Sequence, residues 1–391
     1  MKGFKRIQLG NVAELITKGT TPTTLGYDFQ DEGINFLKIE CFDENGELIP
    51  EKVAFISDEC NEKLKRSQLK AGDILFSIAG AIGRVASVTD GMLPANTNQA
   101  LAIIRITDEN VYLPYIKLIL TSPIVKRQFE NKKQGVAQLN LSLKDINEIV
   151  IPLPDRKRQE EYAELFEKLY KVIALRNTQL SNMDNLIKAR FVEMFGDQEF
   201  EKKQLIELIQ KGAGLSYGIV VPGENVADGI PMVRPSDFKN GRLNLENVYR
   251  VASDIECKYK KTRLVGDEIL VQVIGQPGQV MLSDERCKGM NVTRNLAVIR
   301  IDNVKVNRIY ISHYLTTEEA QRFMFGSTNQ STLKQLPLNK LKELPVPLVP
   351  LSEQEQFADF VKQVDKSKVA IQKSLEKIQF LFDSLMQKYF G

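Results

Sequence analysis

The segment Ile151-Pro-Leu-Pro-Asp-Arg-Lys-Arg-Gln-Glu160 decides how this chain is read, because a second version of it stands 195 residues further on. That version is Val346-Pro-Leu-Val-Pro-Leu-Ser-Glu-Gln-Glu355. Working outward from it, the same offset holds across the last third of each half. Gly80, Gly83 and Asn96 fall on Gly275, Gly278 and Asn291, and Leu101 to Ile106 falls on Leu296 to Ile301. Phe195-Gly196 meets Phe390-Gly391. A period this long is a domain-sized duplication, far beyond the roughly 20–50 residues of a solenoid repeat. The chain is two copies of one module, and its function is one task performed twice.

Downstream of each copy the pattern turns helical, from about Arg158 to Phe195 and from about Glu353 to Phe390, with no Gly or Pro inside. Alternate steps of four and three residues pick out Tyr162, Phe166, Leu169, Ile173, Arg176, Leu180, Met183, Ile187, Arg190 and Met194. The same register in the second copy gives Phe357, Val361, Val364, Lys368, Ile371, Leu375, Ile378, Phe382, Leu385 and Tyr389. Seventeen of these twenty are apolar, which is coiled-coil spacing sustained over about five heptads. Each helix could pack on its own domain. A helix of about 37 residues, roughly 55 Å long, is too long for one small domain to cover. Pairing of the two copies is therefore expected, antiparallel, with the three charged seam positions setting register.

Upstream, each module is about 150 residues of mixed α/β pattern. Ile74 to Ile78 and Ala102 to Ile106 read as buried strands, and Tyr115 to Leu120, Val125 to Glu130, Ile309 to Leu315 and Glu318 to Phe325 read as helices. The expected fold is α/β (α+β): two homologous globular domains at 1–157 and 197–352, each followed by a long helix at 158–196 and 353–391. The helices pair as an antiparallel coiled coil with pseudo-two-fold symmetry.

Composition is that of a globular protein, 43% hydrophobic and 26% charged. No apolar run reaches the roughly 20 residues that span a bilayer, and MKGFKRIQLG has no apolar core of a signal peptide. The four cysteines lack metal-site spacing and do not recur between modules, so a reducing cytoplasm is expected. Net charge is only +3, and residues 1–157 carry 20 cations against 20 anions. Bulk charge therefore does not argue for nucleic acid.

Catalytic patterns are missing from the sequence. His313 is the one histidine and matches Leu118 in the first module; a lone helical histidine points to a structural position. No phosphate loop, zinc helix or nucleophile elbow occurs, and no Asn/Asp-Pro-Pro-Tyr/Phe tetrapeptide accompanies a glycine-rich loop. The Gly80–Gly83 and Gly275–Gly278 turns could cradle phosphate, but they follow strands and precede no basic helix, which favours plain hairpins. What remains are polar loops rich in the side chains that bond bases and phosphates. Such loops are also ordinary solvated turns. Candidate contacts in the first module are Lys18, Thr20, Thr21, Thr23, Arg84, Asn98, Lys132, Lys133, Gln134 and Gln138. Those in the second are Lys211, Arg234, Gln276, Arg294, Asn329, Gln330 and Lys334. Lys132, Lys133, Arg84 and Arg294 suit phosphate or base contacts; Gln134, Gln138, Asn329 and Gln330 suit base edges.

Three features in doubled order carry a resemblance. One is an opening run of spaced apolar residues closed by Lys-Gly, at Leu9 to Gly19 and Leu205 to Gly212. Another is Gly72-Asp-Ile-Leu75 with its glycine turn, matched by Gly266-Asp-Glu-Ile-Leu270 with one residue inserted. The third is the Pro-Leu and Gln-Glu segment. Across the whole chain this resembles the specificity subunits of type I restriction–modification enzymes. The resemblance implies two target-recognition domains, each reading half of a split asymmetric site on double-stranded DNA. It implies helices that hold two methyltransferase subunits, with restriction/translocase subunits joining them in defence against foreign DNA. It implies adenine modification with S-adenosylmethionine held by the partner, so this chain would be a non-catalytic reader with no cofactor. A structural adaptor that bridges two copies of a protein without reading DNA is the other reading. The first loop of the second module lacks Thr21-Pro22 and is expected to take another path.

Overall fold

The computed structural model describes residues 4–43, 45–130, 140–196, 198–239, 242–326 and 335–390. The chain divides into two compact units, residues 1–177 with 372–391, and residues 178–371.

In the first unit, β1 (Lys5–Gln8) is followed by β2 (Leu15–Lys18), β3 (Ile34–Leu37), β4 (Ala54–Ile56) and the short helix α1 (Asp58–Lys63). Then come β5 (Ile74–Ser77), β6 (Val85–Ser87), β7 (Ala95–Thr97) and β8 (Leu101–Arg105). Helices α2 (Leu113–Leu120), α3 (Pro123–Glu130) and α4 (Leu143–Asn147) lead to β9 (Val150–Leu153) and the long α5 (Arg156–Phe195). An antiparallel sheet of order β2-β8-β5-β6 lies beside a sheet β4-β3-β7 in which β3 and β7 run parallel. β1 pairs with β9 and closes the module where it began. Residues 74–76 and 101–104 of β5 and β8 are apolar on both faces, because the sheet is covered on both sides.

The second unit repeats this plan. Its strands are β10 (Lys202–Gln204), β11 (Ser216–Tyr217), β12 (Ile230–Val233), β13 (Phe238–Lys239), β14 (Arg242–Leu243) and β15 (Tyr249–Val251), followed by α6 (Ser253–Glu256). Next are β16 (Ile269–Gln272), β17 (Val280–Leu282), β18 (Asn291–Val292) and β19 (Leu296–Ile299). Helices α7 (Arg308–Tyr314), α8 (Glu318–Phe325) and α9 (Leu338–Lys342) precede β20 (Pro345–Pro347) and α10 (Leu351–Phe390). The sheets are β11-β19-β16-β17, β15-β12-β18 and β10-β20, strand for strand those of the first unit, with the hairpin β13-β14 added.

Buried polar side chains explain why the repeat keeps its motifs. Gln159, at the mouth of α5, accepts from the Tyr112 N–H at 2.8 Å and donates to the Pro154 carbonyl at 2.9 Å. Gln354 accepts from Asn307 N–H at 2.7 Å and donates to the Val349 carbonyl at 2.7 Å, the same positions displaced by 195. Tyr115 and Tyr310 donate likewise to the Pro152 and Pro347 carbonyls. The buried Asp73 carboxylate holds Arg105 through two bonds of 2.7 Å. Its counterpart is Glu268 with Arg300 at 3.0 Å. The residue inserted at Asp267 thus moves the aligned aspartate out of the role and puts a glutamate into it. Burial works against the charge of Glu268, and the Val265 N–H, the Ser283 hydroxyl and Arg300 outweigh it, holding the carboxyl below its usual range.

The long helices pair antiparallel. In the first unit Phe166 meets Phe382 with ring centroids 5.2 Å apart, and Tyr162 meets Tyr389 at 4.7 Å. In the second, Phe191 and Phe195 meet Phe357 at 5.3 and 5.7 Å, and Lys368 binds Asp184 at 2.5 Å. Seam positions Phe166, Ile187, Val361, Val364 and Phe382 are buried. Leu169, Ile173, Leu180, Met183, Ile371, Leu375, Ile378 and Leu385 are half-buried, as a two-helix seam leaves them. Near the helix ends the apolar face widens beyond heptad spacing: Ala163, Phe191, Phe195, Met386 and Phe390 join the module cores. Both helices start two residues before the positions read from periodicity. The Asp155 side chain accepts from the Arg158 N–H at 3.1 Å and Pro350 O from the Glu353 N–H at 3.0 Å, so each first turn opens directly after its proline segment.

One equivalence read from the sequence is corrected. Lys18 pairs with Ala102, whereas the residue opposite Ala297 is Tyr217, so Gly19 corresponds to Gly218 and not to Gly212. Lys211-Gly212 lies in an extra turn ahead of β11, where Gly212 and Gly214 take φ of 83° and 64°. The added residues shift the offset locally, which hid the true match.

Candidate nucleic-acid interface

The strand register brings the polar loops of each module to one end of its main sheet. Lys18 lies opposite Ala102, Ala102 opposite Phe76, and Phe76 opposite Val85. The loops that follow β2, join β7 to β8, and join β5 to β6 therefore leave the sheet together. In the second module the row is Tyr217, Ala297, Val271 and Val280. The β5–β6 and β16–β17 connections are hairpins, as their spacing predicts. Gly83 N–H donates to Ser77 O at 3.0 Å, and Gly278 N–H to Gln272 O at 2.8 Å.

At this end of the first module lie Lys18, Thr20, Thr21, Thr23, Asn98 and Arg84. The Thr21 hydroxyl bonds the Gln99 carboxamide, and Asn98 accepts from the Ala100 N–H at 3.1 Å. A Cβ on Gly19 would stand 1.8 Å from the Thr97 carbonyl oxygen, so only glycine lets these loops touch. Thr21 introduces a 3-10 turn, Pro22–Leu25, at this edge. The second module instead bridges Ile219 to Thr293 through the backbone, so the first loop does take another path. Gly218 makes the same close approach there, to Val292 O.

In the second module Gln276 and Arg294 are exposed at this end. Arg234 follows β12 beside them, but its guanidinium is engaged. It binds Asp237 at 2.7 Å and the Asn247 carbonyl at 3.1 Å, and Asp237 raises its pKa further. Lys211 stands at the opposite end, next to Gln210, whose N–H donates to Arg300 O, and is not brought to the group. Lys132, Lys133, Gln134, Gln138, Asn329, Gln330 and Lys334 lie outside the described residues.

Structure adds residues that sequence reasoning passed over. Gln99 occupies the place of Arg294, and Gln279 that of Arg84; the 195 offset alone could have found both. Gln279 donates to Gln276 Oε1 at 2.6 Å. With Gln272, Gln321, Ser236 and Thr316 they line an open cleft of about 790 Å³, and none of its described lining residues is charged. Paired amides of this kind match base edges, as a guanidinium at Arg84 matches guanine or phosphate.

His313 is packed edge-on to Phe357 at 5.3 Å and is not part of this end. Burial, with Lys368 nearby, pulls its pKa down to about 4. Among the described residues no group of His, Cys, Asp or Glu is disposed to hold a metal, and no helix is long and apolar enough to cross a membrane.

The family described as "Type I restriction modification DNA specificity domain" matches residues 1–183 and again 198–379. The chain is 23% identical over 289 residues to the type I restriction enzyme EcoBI specificity subunit of Escherichia coli, covering 66% of this chain and 60% of that one. It thus spans less than two thirds of that relative's length. A Methanocaldococcus jannaschii protein named as the MjaX specificity subunit of a type I restriction enzyme is 24% identical over 366 residues, 84% of this chain and 82% of its own. Two solved chains share the fold. One, from work on complex assembly and conformational transition of the type I R-M system, has TM-score 0.58 and 17% identity over 100% of this chain and 98% of its own. The S subunit of a type I system from M. genitalium has TM-score 0.51 and 13% identity over 100% and 96%.

Proposed function

Because this chain belongs to the family of type I restriction–modification DNA specificity domains, we propose that it reads a bipartite, asymmetric duplex site, one half with each module, while its paired helices carry two methyltransferase subunits. One observation supports this reading most directly. The two sheet ends share a backbone frame yet differ in the side chains they present, Arg84 against Gln279 and Gln99 against Arg294. Readers of two different half-sites need that combination. Adenine methylation and S-adenosylmethionine binding would belong to the partner, restriction/translocase subunits would join through it, and the complex would act in the cytoplasm.

Partner docking is supported by the helix surfaces. Leu186 is 51% exposed and Leu381, displaced by 195, is 47% exposed. Apolar side chains left open at matching positions of a duplicated helix suit two copies of one partner. Mapping methylated adenines in a host genome with and without this gene tests the proposal. Loss of one split motif is expected. An unchanged methylome, with the chain still bound to a partner protein, would favour an adaptor that reads no DNA.

A further inference from the structure

Each module carries three exposed cations in one turn. Lys63, Lys65 and Arg66 close α1 and enter the following 3-10 turn, and Lys258, Lys260 and Lys261 stand at the same places after α6. All three pairs are displaced by 195. Most cations of the first module have no such partner: Lys38, Lys52, Lys70, Arg84 and Lys117 meet Val233, Asn247, Val265, Gln279 and Ser312. Arg105 and Arg300 recur inside the buried ion pairs, and Arg127 and Arg322 recur singly on α3 and α8, where Arg322 pairs with Glu318. Within the triads, only Lys65 has a salt bridge among those found for the described residues, to Glu62 at 3.0 Å. Both of its members are more than 60% exposed, so water screens that pair.

The turn is also held rigidly, and in the same way twice. Buried Asn96 donates to the Leu64 carbonyl at 3.2 Å and to Asn61 Oδ1 at 2.9 Å. Buried Asn291 donates to the Tyr259 carbonyl and to Glu256 Oε1, both at 3.0 Å. These asparagines stand two and three residues before Asn98 and Arg294. One side chain therefore ties the cation turn to the strand leading into the interface loop, while Arg300 and Arg105, from the other end of the main sheet, bind the Lys261 carbonyl at 3.1 Å and the Gln68 carbonyl just past the turn at 3.3 Å.

We infer that the two triads are phosphate clamps, which grip the DNA backbone identically in both modules while the differing hairpin and loop residues read bases. Contacts to phosphate carry no sequence information, so modules that read different half-sites can keep them unchanged. Base contacts cannot be kept in that way. The inference rests on the proposed DNA-reading function and identifies the surface that supplies its affinity in a chain with almost no net charge.

The test uses the full chain and labelled duplexes of random sequence, with binding followed across roughly 50–200 mM salt. Variants are K63Q/K65Q/R66Q and K258Q/K260Q/K261Q, with K63R/K65R as a charge-preserving control and circular dichroism melts to confirm folding. Each triple variant is expected to weaken binding to every duplex ten-fold or more. It should lower the slope of log affinity against log salt by about two to three, close to 0.9 per phosphate lost. Sequencing of the bound pool should return an unchanged motif, and the arginine control should bind as the parent does. If the parent binds with a salt-dependent slope that neither triple changes, the cations are merely solvated and the clamp is wrong while the DNA reading stands. A change in one base of the selected motif would show base reading and overturn it too. A parent that binds no duplex at any salt removes both the clamp and the function it rests on.

Discussion

Gln354 and His313 show how single side chains tie the helices to the modules. Gln354 is fully buried and joins the start of α7 to the turn before α10 through Asn307 N–H and Val349 O. Replacing it with leucine leaves both backbone groups buried without partners, at about 1–3 kcal/mol for each group. Gln354→Leu should therefore cost the second unit roughly 2–4 kcal/mol in urea unfolding, and Gln159→Leu should do the same to the first. His313 gives a pH signature. An unfolded histidine titrates near 6.5, whereas here burial holds the group near 4 with Lys368 and Asp184 facing it. The folded chain stays neutral where the unfolded chain takes up a proton. Stability is thus full above pH 6.5 and lost as pH falls toward 4, by roughly 1–2 kcal/mol at pH 5. Glu256 and Glu268, held low by their arginine and hydrogen-bond partners, contribute their losses only at lower pH. His313→Leu, the residue type found at Leu118, should flatten the curve between pH 6.5 and 5 in chemical denaturation.

At the scale of elements, the helices were legible and the short strands were not. A helix of 40 residues writes its seam many times over, so the heptad spacing of Phe166 to Ile187 and Val361 to Leu385 survives charged interruptions. The widening at Phe191, Phe195, Met386 and Phe390 was hidden, because it depends on which module surface each helix end meets. Strands such as Ser216–Tyr217 span two residues and are selected by pairing partners rather than by pattern. The inserted residues around Lys211 and Asp267 broke the constant offset just where equivalence had to be judged. The candidate interface residues were partly legible for the same reason: loops could be located, but only register placed Arg84, Asn98, Gln276 and Arg294 at sheet ends and Lys211 away from them. The open faces of the helices carry their own prediction. Leu186→Glu and Leu381→Glu, each about half exposed, should leave melting temperature within about a degree or two. Each should still reduce co-purification of the proposed methyltransferase partner, the double variant most.

For the whole molecule, duplication predicts separable specificity. Replacing residues 197–352 with the matching segment of a family member should change the bases of one half-site and keep the other. Motif sequencing of methylated DNA would show this directly, and altered bases in both halves would mean that the modules do not read independently.

The division of the chain bears on the order in which it can fold as it leaves the ribosome. The second unit is one unbroken stretch, 178–371, and its full complement of residues is available while the last segment is still being made. The first unit starts earlier but needs 372–391, because Phe382, Met386 and Phe390 fill the core around Phe166 and Tyr115. The module synthesised first is therefore completed last. A chain stopped after Ile371 should give a protease-resistant second unit attached to a first unit that is cleaved readily and binds hydrophobic dyes. Supplying residues 372–391 as a separate peptide should restore resistance to the first unit.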